Sequence, residues 1–183
     1  MKKLSLLFTK DGLQWHISKG KTVLEEAFHF VTEETSPHLV EEKLDDVLKF
    51  DDYKEIEVIS ALNHFSLTPD TFAEHELGYK LISYNAPVDE ANEELMLSVN
   101  KKFAVQFYYT FPKHFYQKIK AKKLPTKFNF SGEKFLNALT VKNHKEIHIN
   151  LYHHQVEFFA FENKKVILYN NLDADSEVDF LYF

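Results

Sequence analysis

Hydrophobic and polar residues alternate from the start of the chain. Leu4, Leu6 and Phe8 alternate with Ser5, Leu7 and Thr9, Lys10-Asp11-Gly12 reads as a turn, and Leu13, Trp15 and Ile17 resume the pattern. A period of two belongs to a strand with one buried face, so this stretch predicts a β-hairpin. Ser18-Lys19-Gly20-Lys21 supplies a second turn, with Gly20 suited to a positive φ, and Thr22 to Phe30 can form a third strand. The spacing then changes. Ser36-Pro37 carries the cap-plus-proline signature of a helix start, and Val40, Leu44, Val47 and Leu48 follow at helical intervals. Glu55 to Ala61, rich in Ile and Val, predicts a strand; reached by way of a helix, it should lie parallel to a neighbour in the same sheet.

Thr68-Pro69 repeats the cap-plus-proline signal and predicts a short helix to about Leu77, and Asn85-Ala86-Pro87 reads as a loop. Leu95 to Val99 and Phe103 to Tyr109 predict two strands, Pro112 opens a helix carrying Phe115 and Ile119, Lys127 to Phe130 a further strand, and Ser131 caps a helix bearing Phe135, Leu136 and Leu139. The opening pattern then returns. Ile147, Ile149 and Leu151 stand 143 positions after Leu4, Leu6 and Phe8, and Val156 and Phe158 stand at the same offset from Leu13 and Trp15. His153-His154-Gln155 overlies Lys10-Asp11-Gly12, and Asn163 overlies Gly20, both residues that tolerate the left-handed conformation. Ser176, with Asp179 three residues on, predicts another helix start.

Two copies of a β-meander, each running on towards a helix, resemble the duplicated ribonuclease H-like domains of actin-like ATPases. His64-Phe65-Ser66-Leu67-Thr68-Pro69-Asp70-Thr71-Phe72, the stretch Phe103 to Pro112, and Asn170-Asn171-Leu172 on to Asp179-Phe180-Leu181-Tyr182-Phe183 resemble a bacterial domain-of-unknown-function family of that superfamily. The resemblance implies an α/β fold with a mixed sheet built from a β-meander plus helices. It divides the chain into a ribonuclease H-like domain over 1–142, with an extra segment near 79–111, and the start of a second, truncated one over 143–183. That second copy holds only its first three strands and a helix start.

Nucleotide-binding members of the superfamily hold phosphates on two Gly-rich turns, and an Asp near the first strand helps to place Mg²⁺. The matching positions here are Lys10, Asp11 and Gly12, and His153, His154 and Gln155. The first strand has no acidic residue, the second turn has neither Gly nor hydroxyl, and the chain has only four glycines, too few for a phosphate cradle here. The resemblance therefore implies a fold more than a cofactor, and ATP with Mg²⁺ is disfavoured.

Composition narrows the chemistry further. All 22 basic residues are lysines, so the bidentate fork of arginine is missing, and the formal net charge of -6 gives no field for polyanions. Nucleic acid is not an expected partner. There is no cysteine, which removes disulfides and thiolate chemistry. The apolar run at the N-terminus ends at Phe8, short of a signal peptide, and no stretch is long enough to cross a bilayer, which predicts a cytoplasmic protein without a membrane partner.

His144, His148, His153 and His154 are the one cluster with possible Zn²⁺ or Ni²⁺ chemistry. His148 points from a strand, and His153 and His154 from a turn and to different sides, so no metal site is expected. The pairs Glu33-Glu34, Glu41-Glu42, Asp45-Asp46 and Asp51-Asp52 read as solvated surface, as do Lys113, Lys118, Lys120, Lys122 and Lys123 among His114, Phe115 and Tyr116. No nucleophile elbow or Walker loop is present. With no catalytic residue apparent, the expectation is a non-catalytic interaction or scaffold protein, binding a protein partner or itself through Phe180, Tyr182 and Phe183. The alternative is an actin-like ATPase with atypical phosphate contacts.

Overall fold

The computed structural model describes residues 2–176 and 178–179. The opening alternation folds into β1 (Lys2–Thr9), β2 (Gly12–Lys19) and β3 (Thr22–Phe30), an antiparallel meander. α1 (Leu39–Leu48) carries the chain across to β4 (Tyr53–Ser60), which lies parallel to β1, and β8 (Thr126–Phe130) adds in parallel at the edge. The five-stranded order is β3-β2-β1-β4-β8. Leu4, Leu6, Phe8, Leu13, Trp15 and Ile17 form its buried face, packed on Leu44, Val47 and Leu48 of α1. The helix begins at Leu39, two residues after Pro37; Ser36 Oγ accepts a bond from the His38 N–H at 3.1 Å just ahead of it.

Between β4 and β8 the chain makes an excursion. β5 (Phe65–Pro69), β6 (Glu93–Asn100) and β7 (Val105–Pro112) form a second sheet in the order β5-β7-β6. Thr68-Pro69 therefore closes a strand and does not open a helix. Pro69 tolerates this because β5 is an edge strand, and the pairing of Phe65 with Tyr109 and Leu67 with Phe107 outweighs the local helix signal. The helix follows later, as α2 (Gly78–Ser83). α3 (Lys113–Lys120) and α4 (Ser131–Ala138) come where Pro112 and Ser131 predict them.

β9 (Glu146–Leu151), β10 (Gln155–Glu162) and β11 (Lys165–Asp173) make the third sheet, order β11-β10-β9. β10 and β11 have the bounds of β2 and β3 displaced by 143 residues. The irregularity in the β2–β3 register falls between Ile17 and Ser18, and that of β10–β11 between Ala160 and Phe161, the same step of the repeat. Gly20 and Asn163 both have positive φ, 62° and 51°.

The two meanders bury opposite faces. Ile147, Ile149 and Leu151, expected in a core, are 66%, 47% and 66% exposed, because no element among the described residues covers them as α1 covers Leu4, Leu6 and Phe8. The third sheet turns inward with Gln155, Glu157, Phe159, Phe161 and Tyr169 instead. Phe159, Phe161 and Tyr169 join Phe65, Phe107, Tyr109, Phe130 and Leu136 in an aromatic core, with rings such as Phe159 and Tyr169 4.5 Å apart. No helix among the described residues is long and apolar enough to cross a membrane.

Candidate functional site at the facing turns

The β1–β2 turn and the β9–β10 turn meet. Asp11 projects from the first, and its Oδ2 accepts the His154 N–H of the second at 3.1 Å. The two positions stand 143 residues apart, and the Asp11 carbonyl accepts the Val31 N–H as the His154 carbonyl accepts the Ala174 N–H. His154 Nδ1 lies 3.5 Å from Asp11 Oδ1 and 3.1 Å from His153 Nδ1. The His153 ring stacks on Phe30 at 4.6 Å.

Neighbouring side chains close the junction. Gln155 Nε2 donates to the Ala61 carbonyl at 2.6 Å and to Asn171 Oδ1 at 2.7 Å, and Asn171 Nδ2 donates to the same carbonyl at 3.2 Å. Lys10 Nζ pairs with Asp173 at 3.0 Å and Asp175 at 3.5 Å. Burial opposes the charge of Lys10, but its hydrogen bond to Asp173 and the fields of Asp173, Asp175 and Asp11 outweigh that, so its pKa is raised. Gly12 is a glycine for a local reason: at φ 152° a Cβ there would stand 2.0 Å from the His29 carbonyl oxygen on β3.

Of the cofactor candidates, Asp11, His153 and His154 come together, while Lys10 turns to Asp173 and Asp175 and Gly12 packs against β3. Among the described residues they hold one cluster of potential metal ligands, Asp11, His153 and His154, with a donor atom from each within 4.8 Å of the others. His153 and His154, expected to leave their turn to different sides, instead bring their Nδ1 atoms within 3.1 Å of each other. His144 and His148 belong elsewhere: both face Glu146, with Nε2 atoms 3.9 Å and 3.4 Å from its carboxylate. The acidic and basic surface runs find each other. Lys118 pairs with Glu41 and Asp45 at 2.8 Å, Lys122 pairs with Asp51 at 2.6 Å, and Lys113 Nζ donates to the Glu90 and Ala91 carbonyls. Phe180, Tyr182 and Phe183 lie outside the described residues.

Glu157, an acid given no role in the sequence reading, turns out to be central to the third sheet. It is fully buried and accepts four hydrogen bonds, from Ser131 Oγ, Asn150 Nδ2, Tyr152 Oη and Tyr169 Oη, at 2.8–3.0 Å. Burial and this carboxylate raise the pKa of Tyr152 and Tyr169 far above the ordinary phenol. The available signal is an acid set between Val156 and Phe158 inside the apolar run that continues to Phe161.

The class this architecture defines is the actin-like ATPase fold. A crystal structure from Bacteroides thetaiotaomicron, described as a protein with actin-like ATPase fold and unknown function, aligns with TM-score 0.79 and 21% identity over 99% of this chain and 73% of its own. The cytoplasmic domain of EpsL, an inner membrane component of the type II secretion system of Vibrio cholerae, aligns with TM-score 0.54 and 10% identity over 94% of this chain and 71% of its own. A PilM–PilN type IV pilus biogenesis complex aligns with TM-score 0.52 and 10% identity over 98% of this chain and 63% of its own. Over residues 1–183 the chain belongs to the family described as protein of unknown function (DUF3822). No curated protein matches it.

Proposed function

We propose that this is a non-catalytic interaction or scaffold protein that keeps the actin-like fold and closes it at the two turns where the fold class holds phosphate. The observation that carries the reading is the 3.1 Å bond from the His154 N–H to the Asp11 carboxylate. A backbone donor that would face a phosphate is occupied by an anion of the chain itself. An incoming polyphosphate would have to displace Asp11 and then sit against its charge. Gln155, whose repeat counterpart is Gly12, fills the same junction by donating to the Ala61 carbonyl.

Two further observations favour a partner-binding role. EpsL and the PilM–PilN complex are named as parts of secretion and pilus assemblies, and this chain shares their fold. Ile147, Ile149 and Leu151 also line one exposed strand of the third sheet, apolar surface of the kind that contacts other proteins or a second copy.

The test is thermal unfolding with millimolar ATP or ADP and Mg²⁺. A ligand that binds only the folded state must raise its stability. The expected result is an unchanged midpoint for both nucleotides; a rise of several degrees would overturn this reading in favour of a nucleotide-binding protein with atypical contacts.

A further inference from the structure

We propose that Asp11, His153 and His154 bind one divalent transition ion that accepts nitrogen ligands, with Zn²⁺ as its representative, and that the ion fastens the two turns together. Ligand atoms at the usual 2.0–2.1 Å from a tetrahedral zinc stand about 3.3 Å from one another. His153 Nδ1 and His154 Nδ1 are 3.1 Å apart, and His154 Nδ1 and Asp11 Oδ1 are 3.5 Å apart. Two edges of a coordination tetrahedron are therefore already close to length, with donor atoms of all three residues within 4.8 Å of one another.

The surroundings suit a cation. Two facing imidazole Nδ1 atoms cannot both keep a lone pair unsatisfied; one proton or one metal ion must lie between them. Asp11 Oδ2 is held by the His154 N–H, which orients the carboxylate and leaves Oδ1 free to coordinate. The Phe30 ring fixes the plane of His153. The neighbouring ammonium of Lys10 is taken up by Asp173 and Asp175, so the linked cluster holds three carboxylates against one lysine. Two imidazoles and one carboxylate favour zinc over magnesium, and water would complete the fourth position. The site does not depend on whether the protein binds nucleotide.

The experiment strips the full chain with chelator, equilibrates it with zinc sulfate, desalts it and measures bound metal by mass spectrometry. About one Zn²⁺ per chain is expected, with no retention of Mg²⁺ under the same treatment. His153→Ala, at an exposed turn position, and Asp11→Asn should each weaken zinc retention at least tenfold while the far-ultraviolet circular dichroism stays that of the unaltered protein. His148→Ala, beside Glu146, should retain zinc in full. Should either of the first two variants misfold, His153→Gln and the visible spectrum of the Co²⁺-loaded protein, expected to show four-coordinate absorption, take their place. Stoichiometry near zero in the unaltered protein, zinc kept in full by both junction variants, or zinc lost in His148→Ala overturns the proposal.

Discussion

A buried carboxylate is stable only when its oxygens find donors, and Glu157 finds four. Its partners come from β8–α4 (Ser131), from β9 and the turn after it (Asn150 and Tyr152), and from β11 (Tyr169), so one side chain ties the third sheet to the body of the protein. Replacing it with leucine strands all four donors, and the expected cost in chemical unfolding is about 4 kcal/mol, against about 1 kcal/mol for Glu157→Gln. Glu57 shows a different balance. Burial alone would raise its pKa, but Lys134 and Lys3, each 2.5 Å away, outweigh burial and leave it below the ordinary value of 4.5. A folded-state pKa below the unfolded one adds stability above the unfolded value and loses it as pH falls through the folded value. The stability gap between the unaltered protein and Glu57→Gln, followed by urea unfolding, should therefore be full at pH 6 and shrink below about pH 4.5.

At the scale of elements, the same meander occurs twice with opposite faces buried. Leu6 is fully buried under α1, whereas its counterpart Ile149 is 47% exposed. Leu6→Ala should cost about 3 kcal/mol in urea unfolding and Ile149→Ala less than about 1 kcal/mol; equal costs would mean that the two sheets are covered alike. This asymmetry also marks the limit of what the sequence discloses. Alternation located β1, β2, β9 and β10, and the turns and the 143-residue offset placed the third strands, since a period of two and a turn every ten residues are local signals. It could not say which face of β10 is buried, because Val156 and Phe158 on one side are as apolar as Phe159 and Phe161 on the other. Thr68-Pro69 misled for a related reason: the cap signature is local, while the pairing of Phe65 and Leu67 with β7 is long-range. The facing turns could be placed from the repeat, but their chemistry could not. That Asp11 reaches the His154 N–H, and that His153 and His154 share one direction, follow from how two distant turns dock.

At the scale of the whole molecule, the first and third sheets also meet at their turns, through the Asp11 carboxylate and the His154 N–H. Asp11→Ala should raise amide hydrogen exchange at His154 and Gln155 by tenfold or more, while exchange within β1, β4 and β8 stays as it was; uniform acceleration everywhere would mean that the turn contact supports the entire fold. The bond also has a consequence for the order in which the chain assembles. The β9–β10–β11 pairings join neighbours in sequence, and such hairpins close in microseconds. β1 and β4 must first come together across two intervening strands and a helix, and the Asp11–His154 contact spans 143 residues, so it carries the largest loop-closure entropy of the three. The fastening at the turns is thus a late event in folding, made between parts that have already acquired their shape, and a substitution there should quicken unfolding while leaving the rate of folding nearly untouched.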